Sequence, residues 1–317
     1  MSFFPAKDPA PGDKAACDAI DLVLVPRSVD LGDFEVRRAL PHSARRTVGP
    51  FVFFDHFGPA VFKSGAGLDV RPHPHIGLST LTYLYDGEVT HRDNLGVKAA
   101  IRPGEVNWMT AGRGIVHSER TAPELRRGGE PLHGLQFWVG MPGKDEEIDP
   151  SFLHLGADEF PRLNGEGKDI RVIAGRFLGA RSSMKTLSET MFADVSLQAG
   201  ASLPLDPDYE ERAAYVVSGE IDVQGDRFGM GRLLVFRPGD RITLNAVTPS
   251  RIAVVGGAPL DGPRYVWWNF VSSRRERIEQ ARQEWARGSF NKIPGDEIEF
   301  IPLPKDRPPP VEQDCPL

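Results

Sequence analysis

Four residues in one stretch carry the chemistry of this chain: His73 and His75 in RPHPHIGLSTLTYLYDGE, and His117 and Glu119 in WMTAGRGIVHSE. Each pair is spaced i, i+2, and alternate residues of a β-strand point to the same face. Two such strands side by side would aim three imidazoles and one carboxylate at a single point. That donor set suits one borderline divalent transition metal. Iron(II) is favoured where coordination positions stay open, with manganese, nickel, copper and zinc as alternatives. Taken singly, His-Pro-His also reads as a polar turn and His-Ser-Glu as a solvated surface strand. The glycine framework separates these readings. Gly67 precedes His73 by six residues, Gly87 follows His75 by twelve, and Arg102-Pro103-Gly104 and then Gly112 lead into His117.

The run from a glycine through His-x-His to a downstream glycine resembles the first cupin motif, and the run from Pro-Gly through Gly to His resembles the second. Where a typical cupin carries a glutamate ligand shortly after His-x-His, this chain has Thr80, and the carboxylate appears instead as Glu119. That relocation makes the chain resemble the pirin family. So do RPHPHIGLSTLTYL, NWMTAGRGIVHSER, HGLQFWVGMP, WWNFVSSRRERIEQARQEW and PGDEIEFIPLP, and the likeness runs from Asp21 to Pro304. The resemblance implies a bicupin with one metal, usually iron, in its first barrel. It implies a metal-dependent dioxygenase acting on quercetin-like flavonols or related aromatics, with Glu119 as ligand and proton acceptor. It also implies an alternative, a non-enzymatic redox-sensing regulator that binds a protein partner, as eukaryotic pirins do.

Composition narrows the classes. The 317 residues are 40% hydrophobic and 26% charged, with 33 Gly and 28 Pro, which suits many short strands joined by turns and sets all-β as the expectation. With 38 basic against 44 acidic residues, the formal charge of −6 offers no attraction for polyphosphate, so direct nucleic-acid binding is not expected. Cys17 and Cys315 give no disulfide framework. No apolar run has membrane-spanning length, and the N-terminal stretch lacks the layout of a secretion signal, so a cytoplasmic protein is expected.

The elements that must position the four residues follow from pattern. Strands are expected from Asp21 to Val25, Leu78 to Tyr85, Val89 to His91 and Val106 to Met109, and around His133, Gln136 and Trp138. Phe51, Phe53, Phe54 and Phe57 read as core, with a pocket wall as the alternative, and Trp108 reads as core inside the barrel. Phe53 or Trp108 is the candidate lining of a cavity beside the metal, and Gln136 rather than His133 is expected to approach it. His56 is expected to be a hydrogen-bonded partner rather than a ligand, and His91, beside Arg92, Asp93 and Asn94, a solvated loop histidine. The stretch from Met141 to Gly167 reads as a linker.

An internal repeat follows. TYLYDGEV matches AYVVSGEI at an offset of 219 − 87 = 132, and IRPGEV matches FRPGDR at 239 − 104 = 135. These offsets carry the four ligand positions onto Leu205, Pro207, Ile252 and Val254, none of which can bind a metal. Ser272 or Ser273 is expected to cap a helix whose buried stripe is Ile278, Ala281 and Trp285. The organisation expected is an arm over 1–20, a metal-binding cupin over 21–145, a linker over 146–169, a metal-free cupin over 170–304 that includes a helix over 274–287, and a Pro-rich tail over 305–317. The fold class is all-β: two cupin-type β-barrels with a short C-terminal helix.

Overall fold

The computed structural model describes residues 19–30 and 35–305. The expected N-terminal arm up to residue 18, the tail beyond Lys305, and both cysteines lie outside the described residues.

The chain is all-β, and its two halves repeat one topology. In the first half a seven-stranded antiparallel sheet runs Ser151–Leu155, Val106–Thr110, Leu78–Asp86, Pro131–Gly140, Phe51–Val61, Glu35–Leu40, Arg27–Asp30. A four-stranded sheet faces it, in the order Asp69–His75, Ile115–Arg120, Val89–Asp93, Lys98–Ile101. The second half matches strand for strand. Its larger sheet runs Ile20–Leu24, Leu233–Phe236, Glu211–Ser218, Ser250–Gly257, Thr190–Leu197, Lys168–Ala174, Arg162–Gly165. Its smaller sheet runs Ser202–Leu205, Ile242–Ala246, Glu220–Val223, Asp226–Gly229. Each unit is thus a flattened cupin of two facing sheets rather than a ring closed by hydrogen bonds.

The two large sheets pack back to back, which gives four layers. Strand Leu78–Asp86 shows how the sequence allows this. Leu81, Tyr83 and Tyr85 join Phe54, Phe137, Phe192 and Tyr215 in the core between the halves, while Leu78 and Leu84 turn to the opposite face, into the interior of their own unit. Covered on both faces, the strand is buried through Tyr85. Each fully buried Phe or Leu in this layer contributes about 1.5–3 kcal/mol by removal from water.

Three expectations about chain organisation need correction. The strand at Ile20–Leu24 pairs with Leu233–Phe236 in the second unit, not the first. Within the expected linker, Ser151–Leu155 pairs with Val106–Thr110 in the first unit and Arg162–Gly165 pairs with Lys168–Ala174 in the second. In each unit one edge of the large sheet needs a partner, and each takes it from outside the repeat. Both offsets, 132 and 135, also fail at the ligand strands, where 205 − 75 = 130 and 242 − 115 = 127. His75 is paired with Ile115, and the equivalent pair is Leu205 with Ile242. The counterparts of His73, His75, His117 and Glu119 are therefore Leu203, Leu205, Leu244 and Ala246, all buried and aliphatic.

The helix spans Arg275–Ala286, with Ile278 and Ala281 fully buried and Trp285 partly so. Its N-cap is Arg274, with no side-chain cap. The two serines expected to cap it instead donate their hydroxyls to the buried Glu146 carboxylate, which also pairs with Arg264 at 2.7 Å.

Candidate metal centre

Strands Asp69–His75 and Ile115–Arg120 lie side by side and antiparallel, with His117 opposite His73 and Ile115 opposite His75. The ring centroids of His73, His75 and His117 are 4.4 to 5.0 Å apart. One ring nitrogen from each lies within 4.8 Å of the others, and among the described residues no other set of His, Cys, Asp or Glu converges this way.

Hydrogen bonds decide which nitrogen is available. His73 Nδ1 donates to the Arg71 carbonyl at 2.9 Å, and His75 Nδ1 to the Asn269 carbonyl at 3.0 Å. A backbone carbonyl can only accept, so both rings carry their proton on Nδ1 and keep a lone pair on Nε2. His117 Nε2 is buried with no partner. A buried nitrogen without a hydrogen bond costs stability unless something else binds it. Burial pushes the His73 imidazole down to about 4, against the Arg71 carbonyl, which opposes the shift. His75 and His117 are driven well below the ordinary range, first by burial and then by their neighbouring imidazoles. All three are neutral near pH 7, the state a metal requires. The residues present fit a divalent transition ion.

Glu119 opens into the same cavity from the strand that carries His117. The pairing is bulged between these two residues, and the Glu119 carboxylate, which accepts from Thr82 Oγ1 at 3.3 Å, stands outside the three-histidine cluster. Burial pushes this carboxyl above its usual range, while His91 and the Thr82 hydroxyl pull it back. The cavity is about 400 Å3, walled by Phe53, Phe57, Trp138 and Trp268, with Gln136 and Thr82 among its polar groups. Phe53 and Trp138 stack at 4.1 Å, and Arg38 caps Phe53 while gripping Asp55 with two hydrogen bonds.

The other expected residues divide. Phe53 and Gln136 line the cavity. Trp108 does not, because its side chain turns into the core between the halves, where Nε1 donates to Thr110. His56 is a hydrogen-bonded residue away from the metal pocket, set against Tyr215 at 2.9 Å and His133 at 2.8 Å. His91 is not solvated. It is 3% exposed, within 3.4 Å of His117 and bonded to Asp93 at 3.0 Å. Pattern reading also missed Asn269, from the hairpin Tyr265–Trp267 and Phe270–Ser272, whose chain crosses to close the first unit's pocket. The Trp-Trp-Asn run at 267–269 was the available signal.

Two stacked cupin units with converging histidines in the first define a bicupin. A family model for Pirin matches residues 33–139, and one for the Pirin C-terminal cupin domain matches 192–291. A pirin-like protein of Caulobacter vibrioides is 49% identical over 289 residues, spanning 90% of this chain and all of that one. Human pirin is 32% identical across 78% of this chain and 84% of its own length. The crystal structure of a quercetin 2,3-dioxygenase from Acinetobacter baumannii superposes with a TM-score of 0.81 at 32% identity, covering 90% of this chain and 97% of that one. The chain belongs to the pirin family.

Proposed function

We propose that this pirin binds one first-row transition metal, iron(II) in its active form, and oxidises flavonol-type aromatics with dioxygen. One observation carries the reading: three neutral imidazoles, one with an unpartnered Nε2, meet at the wall of a 400 Å3 aromatic cavity of the size small-molecule sites have. Likeness to a quercetin 2,3-dioxygenase supports the substrate class.

His73, His75 and His117 would hold the metal, with Glu119 as fourth ligand, and the bound ion would supply Lewis acidity and redox chemistry. Glu119 would also take the proton of the flavonol hydroxyl. Its raised proton affinity makes it a stronger base than an ordinary carboxylate. The Thr82 hydroxyl lies 3.3 Å from that carboxylate and 2.8 Å from the Gln136 side-chain oxygen, and its single proton serves one acceptor at a time. Phe53, Trp138 and Trp268 would form an aromatic wall against a flat ring and exclude water from it.

The test is oxygen uptake by anaerobically iron-loaded protein against a panel of flavonols, with His117→Ala as control. Uptake that depends on the flavonol and vanishes in the variant is the expected result. If the loaded wild type consumes no oxygen with any flavonol, the dioxygenase reading falls and the metal site stands alone.

A further inference from the structure

We infer that Asp93 and His91 set the tautomer of His117, so that a carboxylate outside the metal site decides whether the third imidazole can bind a metal. The inference rests on the metal-centre reading above and adds two residues to it.

His73 and His75 are each fixed by a backbone carbonyl, which can only accept. His117 has no such anchor. Its Nδ1 faces His91 Nδ1 at 3.4 Å, and one imidazole nitrogen opposite another leaves open which of them carries the proton. The choice is made one step further out. His91 Nε2 is 3.0 Å from Asp93 Oδ2, and Asp93 is fully buried. Its other oxygen, Oδ1, accepts the backbone N–H groups of Leu95 at 2.9 Å and Val97 at 3.1 Å. With Oδ1 held as an acceptor by two N–H groups, Oδ2 accepts from His91, so the His91 proton sits on Nε2. The His91 Nδ1 lone pair then accepts from His117 Nδ1–H, and His117 Nε2 is left bare and aimed into the cluster, the buried nitrogen without a partner. The ring of Phe152 lies nearly parallel to His91 at 4.4 Å and 21°, which fixes the plane through which the chain passes.

The arrangement predicts the effect of an isosteric change. In Asp93→Asn the amide oxygen keeps the Oδ1 position, because Leu95 and Val97 require an acceptor there, and the NH2 group faces His91. His91 Nε2 must then accept, its proton moves to Nδ1, and His117 is forced to accept at Nδ1 and protonate Nε2. The nitrogen needed for the metal is blocked with no loss of side-chain volume.

The experiment titrates apo protein with cobalt(II) and, separately, reads histidine tautomers by nitrogen-15 NMR without metal. Asp93→Asn and His91→Phe, which keeps the stack on Phe152, are expected to lower cobalt affinity roughly 10- to 100-fold, with folding and one-site stoichiometry retained. His91→Gln should recover part of the loss, since its amide can accept from His117 and donate to Asp93. In the apo wild type the His117 proton should be on Nδ1, and in Asp93→Asn on Nε2. Wild-type cobalt affinity in both Asp93→Asn and His91→Phe, or an apo wild type with His117 protonated on Nε2, overturns the inference. Should the wild type take up no cobalt, the metal-centre reading fails, and the tautomer measurement still decides the role of Asp93.

Discussion

His73 and His117 stand directly opposite each other in an antiparallel strand pair, with ring centroids 4.4 Å apart. The centre is therefore a product of register. A slip of one residue in either strand would turn that strand's imidazole to the other face, away from its partner. Local motifs supply the side chains, and the pairing of the two strands supplies the site.

His75→Ala is expected to abolish tight binding of iron or nickel, because it removes one of three converging nitrogens. Metal content after gel filtration, by elemental analysis, checks this. A full equivalent retained by the variant would mean that the ion sits elsewhere.

Glu119→Gln separates its two proposed roles. The variant is expected to keep three-histidine binding at reduced affinity and to lose about 100-fold or more in flavonol turnover, the lower range for a lost proton-transfer group. Comparing metal affinity with kcat in one preparation reads both effects. Unchanged kcat at full metal loading would remove Glu119 from the chemistry.

Stoichiometry should not exceed one tightly bound ion per chain. The second unit puts Leu203, Leu205, Leu244 and Ala246 where the first puts its candidate ligands, and aliphatic side chains cannot coordinate. Two tight sites in a cobalt titration would refute this.

Gly77 lies next to the hairpin that anchors His75. Its φ is +66°, and a Cβ there would sit 2.0 Å from the Val271 carbonyl oxygen. Gly77→Ala must therefore strain the turn or displace the hairpin. A loss of about 1–3 kcal/mol in urea unfolding is expected, the usual range for a forced backbone conformation. Metal affinity should weaken with it, since Asn269 moves with Val271. Stability and affinity both at wild-type values would show that the hairpin does not matter to the site.

Acid stability should depend on His56. Burial, with Arg37 and His133 adding to it, pushes this imidazole down to about 2. The unfolded chain, with an ordinary value of about 6.5, binds the proton first, so stability falls as pH drops below that value and continues to fall toward the folded one. The slope from this group alone is up to about 1.4 kcal/mol per pH unit. His56→Gln should flatten the stability curve between pH 6 and 4 by about that amount. Parallel curves for variant and wild type would rule out His56 as the source.

How far the sequence could be read depended on whether the governing interaction was local. His73 and His75, and likewise His117 and Glu119, were visible because strand periodicity puts both members of a pair on one face. The stripe Ile278 and Ala281 was visible because helical periodicity does the same. His91 was misread because Arg92, Asp93 and Asn94 look solvated, whereas the Asp93 carboxylate is consumed by the backbone of its own turn. Trp108 is core, as its bulk suggests, but in the layer between the halves and not inside the barrel, because alternation says which residues share a face, not which face looks at the metal. Asn269 and the pairing of Ile20–Leu24 with Leu233–Phe236 depend on contacts across roughly two hundred residues, for which a pattern read within a short window has no signal.

The hydrogen bond from His75 to Asn269 also orders events in time. During synthesis His73, His75 and His117 emerge long before the segment that fixes one of them. A chain stalled on the ribosome short of position 269 has all three imidazoles but only part of their scaffold. Maturation of the centre is thereby tied to near completion of translation, and chains arrested before the hairpin should take up cobalt more weakly than released full-length protein.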